Sequence, residues 1–155
     1  MATTSNLGID LLNSSDYVSV DPINNAIEKL DALGSDYIKG QGKSGDWSYR
    51  IWNSGVMECF ISSKSFGDVA HTNAWGVLYT SVALSFGNFP SNLTFAAAPA
   101  CFISFTSSSD GGHRSFLTTT GNATATKPPS FALVDPNSGT ATGATFSIYC
   151  IGRSK

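Results

Sequence analysis

The chain has 155 residues and a formal net charge of −2, with 13% charged and 12% aromatic residues. This length suits one ordinary domain, and an acidic balance without any Lys/Arg cluster argues against binding to nucleic acid. Because no run of about 20 apolar residues occurs and the N-terminus lacks a signal-peptide pattern, we expect neither membrane insertion nor export by that route.

The first predicted element is a helix in SVDPINNAIEKLDALG, residues 19–34. Asp21 is a good N-cap, Pro22 suits the first helical position and Gly34 can close the C-terminus. Spacings of three and four residues predict a single apolar stripe, made of Ile23, Ala26, Ile27, Leu30 and Leu33. A rod of about 18 Å is too short to be stable alone. The stripe must therefore pack on the β domain of its own chain or on copies of itself in a short coiled coil.

The rest of the chain predicts a mainly β domain. Residues 40–45, GQGKSG, indicate a flexible connector between a helical segment at 21–39 and a β domain at 46–155. Strands are predicted at 46–52, 55–62, 75–85, 93–96, 101–106, 114–119, 130–134 and 144–152. Several short strands at this spacing favour an antiparallel β-sandwich, jelly roll or barrel. The last strand, within ATFSIYCIG, is apolar on both faces and should be central.

The segment YRIWNSGVMECF, residues 49–60, predicts a hairpin closed by Asn53-Ser54-Gly55. This loop sets Arg50 opposite Glu58 and Ser48 opposite Phe60. Because strand side chains alternate between faces, one face is core and consists of Trp47, Tyr49, Ile51, Met57, Cys59 and Ile61. The other face consists of Arg50, Trp52, Val56, Glu58 and Phe60. Its three large apolar residues favour a partner, either the edge of the opposite sheet or a neighbouring subunit.

Residues suited to catalysis or metal binding are few. His71 and His113 are the only histidines and have no ligand-spaced neighbours, so no metal site is predicted. Asp110 and His113 lie together in SSSDGGHRS, where Asp-Gly-Gly is above all a turn signal. Glu58 lies well inside a predicted strand, but the hairpin register supplies Arg50 as its partner. We therefore predict no catalytic residue and no cofactor.

Three cysteines lie far apart in the sequence, at Cys59, Cys101 and Cys150, each in an apolar strand-like run. An odd number of cysteines without a signal peptide argues against a disulfide framework. We expect buried free thiols, because a free cysteine behaves as a small hydrophobic residue.

Several of these segments resemble one family. TTSNLGIDLLNSSDYVSVDPINNAIEKLDAL is similar to the start of many tail-fibre and baseplate-associated proteins of phages and prophages of Gram-positive bacteria. GDWSYRIWNSGVMECF resembles the hairpin that opens the β-rich head domain of those proteins. FPSNLTFAAAP and the terminal IYCIGRSK are also similar to segments of the family. Ser154 departs from the pattern, which has an aromatic residue after Gly152-Arg153, and leaves the packing of the final residues open.

The resemblance implies a homotrimeric virion protein, assembled in the cytoplasm of the bacterial host. Residues 1–20 would attach to another virion protein, the helices would form a three-fold bundle, and β-sandwich heads would bind a host cell-surface receptor, often a carbohydrate. Receptor contacts are expected in three loops, at Asp110, His113, Arg114, Asn122 and Asn137. Two alternatives are a capsid head-fibre or decoration protein, or a baseplate adaptor, with a structural role. A third is a glycan-cleaving enzyme, against which the missing carboxylate pair argues.

Overall fold

A computed structural model of the protein describes residues 21–32, 34, 36–108 and 115–155. The chain divides into two compact units, with the boundary between Tyr37 and Ile38. In the described ranges, no helix has both the length and the apolar character needed to cross a bilayer.

The first unit contains helix α1, Asp21–Ala32, as the sequence predicts. After the helix, the Gly34 N–H donates a hydrogen bond to the Asp31 carbonyl oxygen at 3.1 Å. The apolar stripe is not the covered face of this helix: the Leu30 side chain is 67% exposed and Ile23 is 42% exposed, whereas Asp31 is buried. Two members of the stripe are therefore exposed.

The second unit is mainly β, as predicted, and its strands form two antiparallel sheets. The five-stranded sheet has the order β1-β2-β3-β9-β6 and the four-stranded sheet the order β4-β5-β8-β7. In chain order the strands are β1 Ile38–Ser44, β2 Trp47–Trp52, β3 Val56–His71, β4 Asn73–Trp75, β5 Leu78–Thr80, β6 Ala100–Thr106, β7 Phe116–Thr119, β8 Phe131–Asp135 and β9 Gly139–Arg153.

One hydrophobic core lies between the two sheets. Phe146 of the five-stranded sheet and Phe131 of the four-stranded sheet are both fully buried, with ring centroids 4.9 Å apart. The segment between β5 and β6 adds further buried side chains, including Phe86, which stacks on Phe131 at 5.1 Å. Two antiparallel sheets that bury a shared aromatic core form a sandwich-like arrangement.

The predicted hairpin register is confirmed. β2 and β3 pair Ser48 with Phe60, Tyr49 with Cys59, Arg50 with Glu58, and Ile51 with Met57. Gly55 has φ +82°, the left-handed conformation that closes such a loop, and its N–H donates to the Trp52 carbonyl oxygen at 2.9 Å. The predicted core face contributes to the hydrophobic core. β9 lies between β3 and β6, so its prediction as a central strand is also confirmed.

Two segments differ from the sequence prediction because their strands carry little apolar alternation. Residues 40–44, expected in a flexible connector, belong to edge strand β1, whose side chains are mostly exposed and include Lys39 and Lys43. Backbone hydrogen bonds hold such an edge without apolar side chains, and lysines protect it from further pairing. Residues 65–71, which lie outside the predicted strands, continue β3 through register shifts near Ser63 and Gly67, which have positive φ.

The region from Trp75 to Ala96 also differs. The strand predicted at 75–85 is instead the hairpin of β4 and β5, because Gly76 turns the chain with φ +64°. The strand predicted at 93–96 is reduced to one isolated bridge between Phe95 and Ser154. Ser154 is therefore packed on two sides. Phe95 is its bridge partner, and the Ser154 N–H donates to the Gly55 carbonyl oxygen at 2.9 Å.

Candidate functional site

The outer face of the five-stranded sheet carries the candidate interaction surface. One row across β2, β3, β9 and β6 consists of Ser48, Phe60, Tyr149 and Phe102. The next row consists of Arg50, Glu58, Ile151 and Ala100. Alternation along the strands adds Trp52 and Val56 to the same side. We call the following set the outer aromatic face: Arg50, Trp52, Val56, Glu58, Phe60, Phe102, Tyr149 and Ile151.

Glu58 lies at the centre of this face and organises its polar atoms. The Trp52 indole Nε1–H donates to Glu58 Oε2 at 3.2 Å, and the Tyr149 hydroxyl donates to Oε1. The Glu58 side chain is 12% exposed, so these two donors compensate a largely buried carboxylate. Both carboxylate oxygens are therefore engaged within the sheet, and two aromatic rings are fixed in orientation.

Arg50 completes the polar centre. Its Nη1 lies 3.9 Å from Glu58 Oε2, at the limit of an ion pair, and its side chain is 46% exposed. An ion pair of this exposure stabilises by about 0–1 kcal/mol. The guanidinium also lies 5.6 Å from the centre of the Phe60 ring, a cation–π arrangement. Arg50 thus lies over Phe60 with nearly half of its side chain exposed.

The hydrophobic part of the surface continues beyond the predicted hairpin. Phe102, on the edge strand β6, is 64% exposed, and Phe60 and Tyr149 beside it are half-buried. A shallow groove of about 310 Å³ runs between Phe60, Phe102 and Tyr149, with Ser62, Ser104 and Ser147 along it. Tyr, Trp, Phe and Arg on a flat, rigid support are the residues enriched at the centres of protein interfaces. The arrangement suits contact with a second surface.

Tyr149 sets an alkaline limit on the stability of this face. Burial, and after it the hydrogen bond and the negative charge of Glu58, raise the pKa of Tyr149 from 10.0 to about 12. The unfolded chain releases this proton near pH 10 while the folded chain keeps it to about pH 12, so stability falls as pH rises through that window. We expect the free energy of unfolding in urea to decrease less steeply across it in Tyr149→Phe. Equal slopes for the two proteins would count against this assignment.

The hairpin residues predicted for an inter-subunit face are brought together, since Arg50, Trp52, Glu58 and Phe60 contact one another. The alternative partner, the edge of the opposite sheet, has no support: the buried residues that face the second sheet are those of the other side, such as Met57 and Cys59. Whether another subunit covers this face stays a prediction.

The other predicted site residues are distributed elsewhere. On α1, Ala26 is exposed and Ile27 is half-buried, in addition to Ile23 and Leu30 described above. Asn122 and Asn137 are exposed in separate turns. The Asn137 N–H donates to Asp135 Oδ1 at 2.8 Å, so its backbone has a structural role. Outside the described residues lie the proposed attachment segment 1–20 and Leu33, Asp110, His113 and Arg114.

Sequence reasoning missed the half of the outer aromatic face that β6 and β9 supply. Phe102 alternates with Cys101 and Ile103, which pack against the core, so its outward position follows once β6 is known to be a strand. The two apolar faces of β9 give a signal for Tyr149 and Ile151. Their proximity to Glu58 depends on pairing across 91 positions of the chain.

The three cysteines, distant in sequence, form one cross-strand row inside the core. Cys150 on β9 lies opposite Cys59 on β3 and opposite Cys101 on β6. All three thiols are free, as predicted, but only Cys59 and Cys150 are buried, whereas Cys101 is half-buried. Burial raises the pKa of Cys59 to about 12, and a hydrogen bond to Cys101 together with burial raises the pKa of Cys150 far above its ordinary range. Thiols held in the protonated form are poor nucleophiles, which suits a packing role for Cys59 and Cys150.

A second polar cluster is buried at the far end of β3. Ser115 Oγ donates to Asp135 Oδ2 at 2.7 Å, and His71 Nδ1 lies 3.2 Å from the Asn137 carbonyl oxygen. The seryl hydroxyl is thus bonded to the carboxylate and not to an imidazole, unlike a nucleophile paired with its base. Nowhere in the ranges that the structure covers do three or more His, Cys, Asp or Glu side chains come together as a metal site would need.

Comparisons of this chain with protein-family models, with curated proteins and with solved structures gave no match.

Proposed function

We propose that this chain is a non-enzymatic virion protein: a small trimeric phage fibre whose β-rich heads bind a carbohydrate receptor on the host cell surface. The N-terminal segment would attach to another protein of the particle. The proposal rests on the family resemblance of the sequence and on exposed apolar side chains of α1 and of the outer aromatic face.

The observation that carries the proposal is the uncovered stripe of α1. Leu30 is 67% exposed and Ile23 is 42% exposed in a helix of 12 residues. A helix this short needs tertiary or quaternary packing to persist in water. Ile and Leu at spacings of three and four suit the seam of a parallel bundle. Three copies around one axis would bury the stripe.

The outer aromatic face is proposed as the second contact between subunits, this time between heads. Its hydrogen bonds preorganise Trp52 and Tyr149, which lowers the entropy lost when a partner binds. Its exposed ring, Phe102, offers about 1.5–3 kcal/mol if a neighbouring head buries it fully. A fibre held together at both the helix and the head would resist dissociation outside the cell.

The first test is the mass of the intact protein in solution, measured by light scattering or analytical ultracentrifugation. The proposal predicts an oligomer of three chains in solution. A monomer at micromolar concentration, with the helix retained by circular dichroism, would refute the trimeric fibre.

The second test locates the protein on the phage by labelling and electron microscopy. A position at the tail tip, together with binding of the purified protein to host cell walls, supports receptor binding. A position on the capsid without such binding would instead support the structural alternative, a head fibre or decoration protein. Release of sugars from host glycans by the purified protein would contradict the non-enzymatic role.

A further inference from the structure

A small cleft on the outer face of the four-stranded sheet combines one exposed tryptophan with the side chains of three threonines, Thr80, Thr118 and Thr120. Trp75 pairs with Leu78, and Thr80 pairs with Val134 on β8, which also pairs with Phe116 on β7. Residues paired across antiparallel strands point to the same side of the sheet. The cleft has a volume of about 200 Å³ and is lined by Trp75, Thr80, Thr118, Thr119 and Thr120.

The cleft has an exposed aromatic wall. Val134 and Ala132 of β8, on the same side of the sheet, are almost fully buried and do not line the cleft. Trp75 is 57% exposed, and Phe116 on the opposite side of β8 is 48% exposed. A large ring left this open presents a flat apolar surface to solvent.

The threonine hydroxyls offer hydrogen bonds with no charge. Thr80 Oγ1 donates to the Ser81 carbonyl oxygen at 3.2 Å and keeps its lone pairs. Thr119 pairs with Phe131 of the core, so its side chain points to the other side of the sheet. Within the described ranges, the hydroxyls of Thr118 and Thr120 have no hydrogen-bond partner and can both donate and accept. The described residues that line the cleft contain no ionisable side chain. The side chains of these described residues suit a neutral ligand which is hydroxylated at its edge and apolar on one face.

We propose that this cleft binds a single neutral sugar ring, at the end or a branch of a cell-surface glycan; this rests on the proposed function and names its binding site. The C–H face of a pyranose stacks on the electron-rich face of an indole, while its equatorial hydroxyls reach the threonines. A volume below the range of roughly 300–1,000 Å³ typical of drug-sized ligands suits one ring better than an extended chain.

The test uses the intact protein labelled with ¹⁵N, in which the three tryptophan indole N–H signals are followed during titration with galactose, glucose and N-acetylglucosamine. Saturable movement of the Trp75 signal with at least one sugar, while those of Trp47 and Trp52 stay in place, supports the proposal. An unmoved Trp75 signal with all three sugars at up to molar concentration overturns it. Stronger binding of a sialic acid or of an apolar peptide than of any neutral sugar also overturns it.

Variants distinguish a direct role of the Trp75 ring in binding from a change in the fold of the β4–β5 hairpin. We expect Trp75→Ala to abolish binding, Trp75→Phe to retain part of it, and Thr118→Val to weaken it about tenfold by removing one hydroxyl. The matched control is Val77→Ala, because Val77 is 90% exposed in the same hairpin but does not line the cleft. If Val77→Ala loses as much binding as Trp75→Ala, the ring is not the site. Mass is measured in parallel, so a trimer that binds no sugar refutes this site alone, whereas a monomer refutes the fibre.

Discussion

Replacing Ile27 and Leu30 together by aspartate is expected to reduce the mass of this protein in solution from that of the proposed trimer to that of one chain, 16.3 kDa. Each copy would lose two apolar side chains at the seam, and full burial of each contributes about 1.5–3 kcal/mol. It would gain two carboxylates that face their counterparts in the other copies, where like charges repel. Sedimentation equilibrium of the double variant across a range of concentrations measures the change.

The control for that variant must change the net charge by the same amount without altering the apolar stripe of α1. Asn25 and Lys29 are exposed on another part of the helix. Asn25→Asp adds one negative charge and Lys29→Gln removes one positive charge, so this pair lowers the net charge by two, as does the aspartate pair. We expect the control to remain trimeric. A trimer in both variants would mean that the helix stripe does not hold the subunits together.

Local signals in the sequence were sufficient where a strand alternates and a turn has a defined geometry. The Asn53-Ser54-Gly55 loop fixes the pairing of β2 with β3, and the structure has that register. The helix follows from its capping residues and apolar spacing. In both cases, residues within about ten positions of one another determine the outcome, so no knowledge of distant pairing is required.

Other elements could not be predicted because their stability comes from distant partners. β1 contains three glycines or serines among its seven residues and is held through its backbone by β2. The segment between β5 and β6 is anchored by hydrogen bonds such as Phe89 N–H to the Thr126 carbonyl oxygen at 2.9 Å. Neither element has a periodic pattern of its own, since its side chains do not form one continuous buried face.

The outer aromatic face is likewise predictable only in part from local signals in the sequence. Its β2 and β3 half follows from the hairpin register, which places Arg50, Glu58 and Phe60 on one face. Its β6 and β9 half depends on long-range pairing, which brings Tyr149 to Phe60 and Phe102 to Tyr149. The proposed sugar-binding cleft does not follow from the sequence, because the pattern around Trp75 predicts one strand, whereas Gly76 turns the chain directly after the ring.

Replacing Trp52 and Phe60 together by alanine is expected to weaken assembly of the heads, raising the concentration at which half of the trimers dissociate at least tenfold. Large aromatic side chains at interface centres commonly contribute 2 kcal/mol or more, roughly, when truncated. The double change also affects the single chain, because Trp52 donates to Glu58 and Phe60 lies under Arg50. Unfolding of the dissociated chain must therefore be measured beside the mass.

The Phe102→Ser variant distinguishes weaker assembly of the heads from lower stability of a single chain. Phe102 is 64% exposed, so its truncation should change the stability of a single head by less than about 0.5 kcal/mol, as for most surface substitutions. If a neighbouring head covers the outer aromatic face, the same change should destabilise the trimer by about 1.5–3 kcal/mol for each copy. Val82→Ser is the matched control, since Val82 is equally open at 67% and lies off this face. Equal dissociation curves for Phe102→Ser, Val82→Ser and the unchanged protein would assign the face to the fold of one chain and leave the helix as the proposed trimer contact.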